Sequence, residues 1–213
     1  MPKDSRGGQG RAGGGGGLNP GDIVSTTDLI SERERRQTEV DETLQVFLDI
    51  RNEYGYTIYG IDVATLKGKG RTALAYYDGG NVGINGSFFD HDKMEMAYEN
   101  CVKSGWHPSK GNKTAIQAVV SHELGHALTD EIAKKMGVSN LDLAANRIVE
   151  EARKATGHRG VVKMARKISE YATTKNAEAV AEAYSDFYCN GRKAHRESKA
   201  IVKIMNKYLK GND

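Results

Sequence analysis

An α+β fold is the expectation for this chain of 213 residues. Three observations carry it. A helical periodicity follows a glycine-dense start, a few short β-branched and aromatic runs come next, and from Lys113 onward the chain reads almost entirely helical. Residues 1–21 hold 9 of the 25 glycines, and Leu18 is their only large aliphatic side chain after Met1. Such a stretch cannot offset its own ordering entropy, so it reads as a flexible tail or linker. Residues 22–213 then form one domain, large enough to bury about 70% of its unfolded surface without disulfide staples.

The elements follow in order. Thr27 or Ser31 can cap a helix that runs to about Tyr54, with Val40, Leu44, Phe47, Leu48 and Ile50 at helical spacing and Gly55 as the stop. Residues 56–66 and 72–77 read as strands, and Asn81–Asn85 as a short third. Asp78-Gly79-Gly80 supplies hairpin chemistry between the last two. Asp90 or Asp92 can cap a helix to about Ser104, and Gly105–Pro108 is a loop. Helices are then expected over about 113–130, 141–155, 161–168, 176–189 and 193–209.

Composition excludes several classes. No run approaches the roughly 18 apolar residues that a membrane span needs, so no membrane partner is expected. Cys101 and Cys189 form no Cys-x-x-Cys, which excludes a thiolate zinc knuckle and a disulfide scaffold. A net charge of +3 is too small to argue for nucleic acid as a partner. No apolar leader opens the chain, so the expectation is a protein cytoplasmic at synthesis, or carried within a virion.

One segment dominates the chemistry. His122-Glu123-Leu124-Gly125-His126 lies within an apolar, proline-free helical pattern. Positions i and i+4 share a helix face, so His122 and His126 can present two imidazoles to one ion, with Glu123 beside its open position. A catalytic zinc site uses three protein ligands. The pattern with a third histidine ten residues after the first fails here, because position 132 is Ile and Thr129 stands where a glycine is required. His91, His107, His158 and His195 lack any supporting pattern and read as surface or internally satisfied histidines.

The better third ligand is downstream. Glu178 and Glu182 are i and i+4 on a helix of small residues, with Ala177, Ala181 and Ser185 beside them, so another helix can come close, plausibly at Gly125. Two carboxylates there are costly to bury unless paired or metal-bound. One can ligate the ion while the other accepts a hydrogen bond from a ligand histidine.

His122-Glu-Leu-Gly-His126 followed by Asn176-Ala-Glu178-Ala-Val-Ala-Glu182-Ala resembles the gluzincin metallopeptidases, in particular catalytic domains of the anthrax lethal factor type. It is also similar to HExxH domains of bacteriophage head-associated proteins. The likeness covers about residues 113–190, and Tyr171, seven residues before Glu178, belongs to it. It implies a zincin-like fold and one catalytic zinc held by His122, His126 and Glu178. It further implies Glu123 as general base, Tyr171 as a donor to the transition state and Glu182 behind the ligands. In such chemistry zinc lowers the pKa of a bound water from about 15.7 towards about 7. Glu123 takes the proton as water attacks a carbonyl and returns it to the leaving amine.

The expected partner is a peptide or protein substrate, laid along Asn81–Asn85 as the edge strand of the sheet. Phage structural proteins are a further partner class that the resemblance suggests. Two alternatives stay open: a zinc-stapled assembly module without catalysis, and a zinc hydrolase acting on another amide such as a cell-wall peptide. The last helix places Arg196, Lys199, Lys203, Lys207 and Lys210 largely on one face, opposite Ile201, Ile204, Met205 and Tyr208, which reads as a solvated face.

Overall fold

The computed structural model describes residues 36–56 and 60–211. The glycine-dense tail, both expected caps of the first helix and the start of the first strand fall outside them. Helix α1 (Gln37–Tyr54) packs through Val40, Val46, Phe47 and Ile50. Leu48 is exposed, because it lies a full residue's rotation off the stripe that Val40, Thr43, Phe47 and Ile50 make. Gly55 ends the helix as expected, at φ 65°, with its N–H donating to the Arg51 carbonyl.

Three strands follow: β1 (Gly60–Ala64), β2 (Ala75–Tyr77) and β3 (Asn81–Asn85). The hairpin expected at Asp78-Gly79-Gly80 joins β2 to β3, with Gly79 at φ 87°. The sheet order is β1-β3-β2, with β3 parallel to β1 and antiparallel to β2. This corrects the expectation that Asn81–Asn85 is the edge strand. It is the central strand, and β2 is the edge beside the helices. The physical reason is burial: Val82 and Ile84 are fully buried, and Gly83 lets the Tyr76 ring lie flat across it, where a Cβ would stand 2.0 Å from Tyr76 Cζ. The buried Asn85 then pins the approach to β2, donating from Nδ2 to the carbonyls of Arg71 and Ala73 at 3.1 and 2.8 Å. That approach is a 3-10 turn over Gly68–Thr72, so β2 is shorter than the expected 72–77.

The remainder is helical. Helix α2 (His91–Lys103) is capped by Asp90, whose side chain accepts from Lys93 N–H. Helix α3 (Ala115–Met136) runs six residues beyond its expected end. It starts at a capping box of Thr114 and Gln117 and stops only at Gly137 in the left-handed region. Then come α4 (Leu141–Thr156), α5 (Val161–Ala165), a 3-10 turn (Tyr171–Thr173), α6 (Asn176–Asn190) and α7 (Arg196–Lys210). Among the described residues no helix is long and apolar enough to cross a membrane.

Helix α3 is the centre of the molecule, buried almost all round, with α6 as its main partner. The two helices come close at Gly125, as the small residues of α6 suggested. A Cβ there would lie 2.8 Å from Ala181 Cα and 3.2 Å from Tyr184 Cβ. In most helix interiors Gly→Ala adds about 1 kcal/mol of stability. Here the obstacle is backbone that cannot rotate aside, and overpacking of this kind costs typically 1–3 kcal/mol or more. Gly125→Ala should therefore destabilise by a net ~1 kcal/mol or more and lower the melting temperature by at least about 2–4 °C. An unchanged or raised melting temperature would show that the α3–α6 contact is looser than described.

Candidate metal centre

The capping box fixes where α3 begins, and the helical period then places His122, Glu123 and His126 about two to three turns further in. Helix α6, drawn close at Gly125, lays Glu178 and Glu182 against them. His122 and Glu123 are buried and Glu182 is 1% exposed. All six residues singled out in the sequence come together around one cleft.

Ligand atoms of His122, Glu123 and His126 lie within 4.8 Å of one another. Glu178 approaches the imidazoles more tightly. Its Oε2 stands 3.2 Å from His122 Nε2 and 3.3 Å from His126 Nε2. These are not aligned hydrogen bonds, and Glu178 Oε2 is buried without a hydrogen-bond partner. On the other side of its ring, His122 Nδ1 lies 2.8 Å from Glu182 Oε1, within ion-pair range though off hydrogen-bond alignment. With its hydrogen on Nδ1, a neutral His122 turns the lone pair of Nε2 towards the Glu178 oxygen. Two acceptors that face each other in a buried place would be satisfied by a cation between them.

The spacing suits a small tetrahedral ion. Donors about 2.0–2.1 Å from the centre of a tetrahedron stand about 3.3–3.4 Å apart. Two imidazoles with one carboxylate also suit zinc better than magnesium or calcium, which prefer all-oxygen shells. The residues present therefore fit a metal ion of the zinc type.

The electrostatics agree. Burial would lower the pKa of His122, but the carboxylates of Glu178 and Glu182 hold it well above its ordinary value. Burial would raise Glu178, yet the two histidines keep it well below the usual carboxylate range. Glu182 is likewise opposed by burial, and the His107 and His122 imidazoles beside it hold it at about 2. Glu123 differs: burial raises it, the nearby histidines pull it down, and Glu178 and Glu182 push it up again, for a net rise. A buried carboxylate with raised proton affinity is what a general base needs near neutral pH. Burial and the charges of Glu178 and Glu123 raise the Tyr171 phenol, so it remains a hydrogen-bond donor.

Tyr171 opens the 3-10 turn ahead of α6, and its ring stacks on His122 at 5.7 Å between centroids and on Trp106 at 5.2 Å. Backbone bonds from Glu170 and Tyr171 N–H to the Gly105 and Trp106 carbonyls tie this turn to the loop before α3. Two cavities of about 340 and 320 Å³ flank the cluster and share His122, Glu123, Tyr171 and Ala75. The first is walled by Leu74, Phe88, Tyr98, Trp106 and Val119. The second is walled by Tyr76, Tyr77, Asp142, Lys175 and Glu178. Strand β2 runs along both. Bonds from Asn85 N–H to the Leu74 carbonyl and from Asp78 N–H to the Asn81 carbonyl set the ladder. By the antiparallel alternation, Ala75 and Tyr77 turn their backbone groups away from β3.

The sequence reading missed His107, Trp106 and Ser169. Loop residues carry no periodicity, and only their packing on Tyr171 and Glu182 shows their place. His91, His158 and His195 stand outside the cluster, each beside a carboxylate of its own, Glu42, Glu197 and Asp186 respectively. The chain matches no protein-family model, and no curated protein or solved structure is significantly similar to it.

Proposed function

We propose that this chain is a zinc-dependent endopeptidase of the gluzincin type. The observation that carries the reading is the convergence of His122 Nε2 and His126 Nε2 on a buried Glu178 oxygen that has no hydrogen-bond partner. Glu123 and Tyr171 line the same cleft. A zinc ion bound by these three side chains would supply a Lewis acid and a water of lowered pKa.

The chain's own residues do the rest. Glu123 accepts the proton of the attacking water, in keeping with its raised pKa, and returns it to the leaving amine. The Tyr171 phenol donates a hydrogen bond to the oxyanion that forms on the scissile carbonyl. Glu182 holds His122 from behind. An extended substrate pairs with the outward backbone groups of Ala75 and Tyr77, so the docking edge is β2. A metal that only stapled the fold would need neither Glu123 nor Tyr171 in the cleft.

The test is direct. Protein purified without added metal should hold about one zinc per chain by elemental analysis, and should cut members of a peptide library. Tyr171→Phe removes only the hydroxyl. It should keep the zinc and lower kcat by up to about 10²–10³-fold, as for loss of one oxyanion donor. Protein that cannot be loaded with zinc would overturn the metal centre. A loaded protein that cuts no peptide, but does cut cell-wall peptides, would move the substrate to another amide.

A further inference from the structure

Glu182 is bonded from two directions besides His122. His107 Nδ1 lies 2.9 Å from Glu182 Oε1, the oxygen that also faces His122 Nδ1, and Ser169 Oγ donates to Oε2 at 2.8 Å. An ionised carboxylate only accepts, so the hydrogen of His107 is assigned to Nδ1. The His107 ring is held by flat stacking on Tyr98, at 5.4 Å and 2° between planes. Tyr98 is itself fixed, donating from its hydroxyl to the Pro108 carbonyl. His107 also meets His122 edge-on, with ring centroids 6.2 Å apart. This loop histidine thus reaches the carboxylate that stands behind a ligand imidazole, from an element that contributes no ligand of its own.

We propose that His107 is a positioning residue of the metal centre: its Nδ1–H fixes the Glu182 carboxylate, and through it the orientation of His122. The proposal rests on the reading of His122 as a metal ligand. Without His107, one oxygen of Glu182 has only His122 to orient it, and the carboxylate can rotate about its bond to Ser169. The metal-facing nitrogen of His122 then loses its fixed direction. Groups that orient ligands from behind cost typically 10–100-fold in metal affinity when removed.

The test compares zinc affinity, by chelator competition, and the visible spectrum of the cobalt-loaded protein. It uses wild type, His107→Ala and His107→Asn. The Asn side-chain amide offers an N–H close to the position of Nδ1. His107→Ala should bind zinc about 10–100-fold more weakly and shift the cobalt bands. His107→Asn should restore most of the affinity and the wild-type spectrum. Wild-type affinity and spectrum in His107→Ala would overturn the proposal. So would equal weakening in both variants, because the hydrogen bond would then not be what matters. If His107→Ala does not fold, His107→Phe keeps an aromatic ring to stack on Tyr98 but lacks the N–H, and wild-type zinc affinity in that variant would overturn the proposal. Failure of the metal-centre reading itself is seen separately, as a wild type that takes up neither ion.

Discussion

Glu123→Gln is expected to reduce hydrolysis by at least about 10²-fold while the protein keeps its zinc and its melting temperature. Glutamine preserves the shape and polarity of the side chain but cannot take a proton from water. Glu123 is 7% exposed, and burial with the charges of Glu178 and Glu182 raises its proton affinity against the pull of the two histidines. The isosteric change leaves the packing on α3 intact and removes a buried charge, so stability should not fall. Kinetics on whichever library peptide the wild type cuts, with zinc analysis of both proteins, checks the result. A variant that cuts as fast as wild type would overturn the mechanism even with the metal site correct. A wild type and variant that are equally inert and equally zinc-loaded would favour the staple reading.

Glu178→Ala should weaken zinc binding far more than Glu182→Ala. Glu178 places an oxygen 3.2 and 3.3 Å from the two imidazoles, so in the proposed centre its loss removes one of three ligands. In the proposed centre Glu182 acts through His122 Nδ1, at 2.8 Å, and its loss should cost about 10–100-fold in affinity. His122→Ala and His126→Ala should abolish stoichiometric zinc altogether. The measurement is zinc affinity by chelator competition, with a thermal melt of each metal-free variant. That control matters for Glu182, whose removal leaves His107 and Ser169 without their shared acceptor in a buried place. The reverse ranking of the two glutamates would exchange their roles.

The α+β order, the Gly55 stop and the helix carrying both histidines were legible in the sequence, because each rests on local chemistry. Gly55 ends α1 where the sequence places the stop, whereas the capping box of Thr114 and Gln117 and the Gly137 stop of α3 emerge only in the structure. An i, i+4 spacing puts His122 and His126 on one face wherever that helix lies. The same spacing put Glu178 and Glu182 on one face of α6, and the alanines around them marked it as a packed helix.

Other features depended on which segments meet. A turn can be read from Asp78-Gly79-Gly80, but the place of the hairpin in the sheet cannot. The parallel pairing of β3 with β1 put Asn81–Asn85 in the middle and left β2 as the edge over the cleft. That order is decided by non-local burial of Val82 and Ile84 and by the room Gly83 leaves for Tyr76. His107 is the clearest case. Nothing near it in the chain distinguishes it from other histidines, and its partner Glu182 is 75 residues away. Periodicity and capping act over a few residues, so the sequence by itself determined the helices and the faces that carry the chemistry. Contacts across the fold set the edge strand and the residues that steady the site, and only the tertiary structure could decide those.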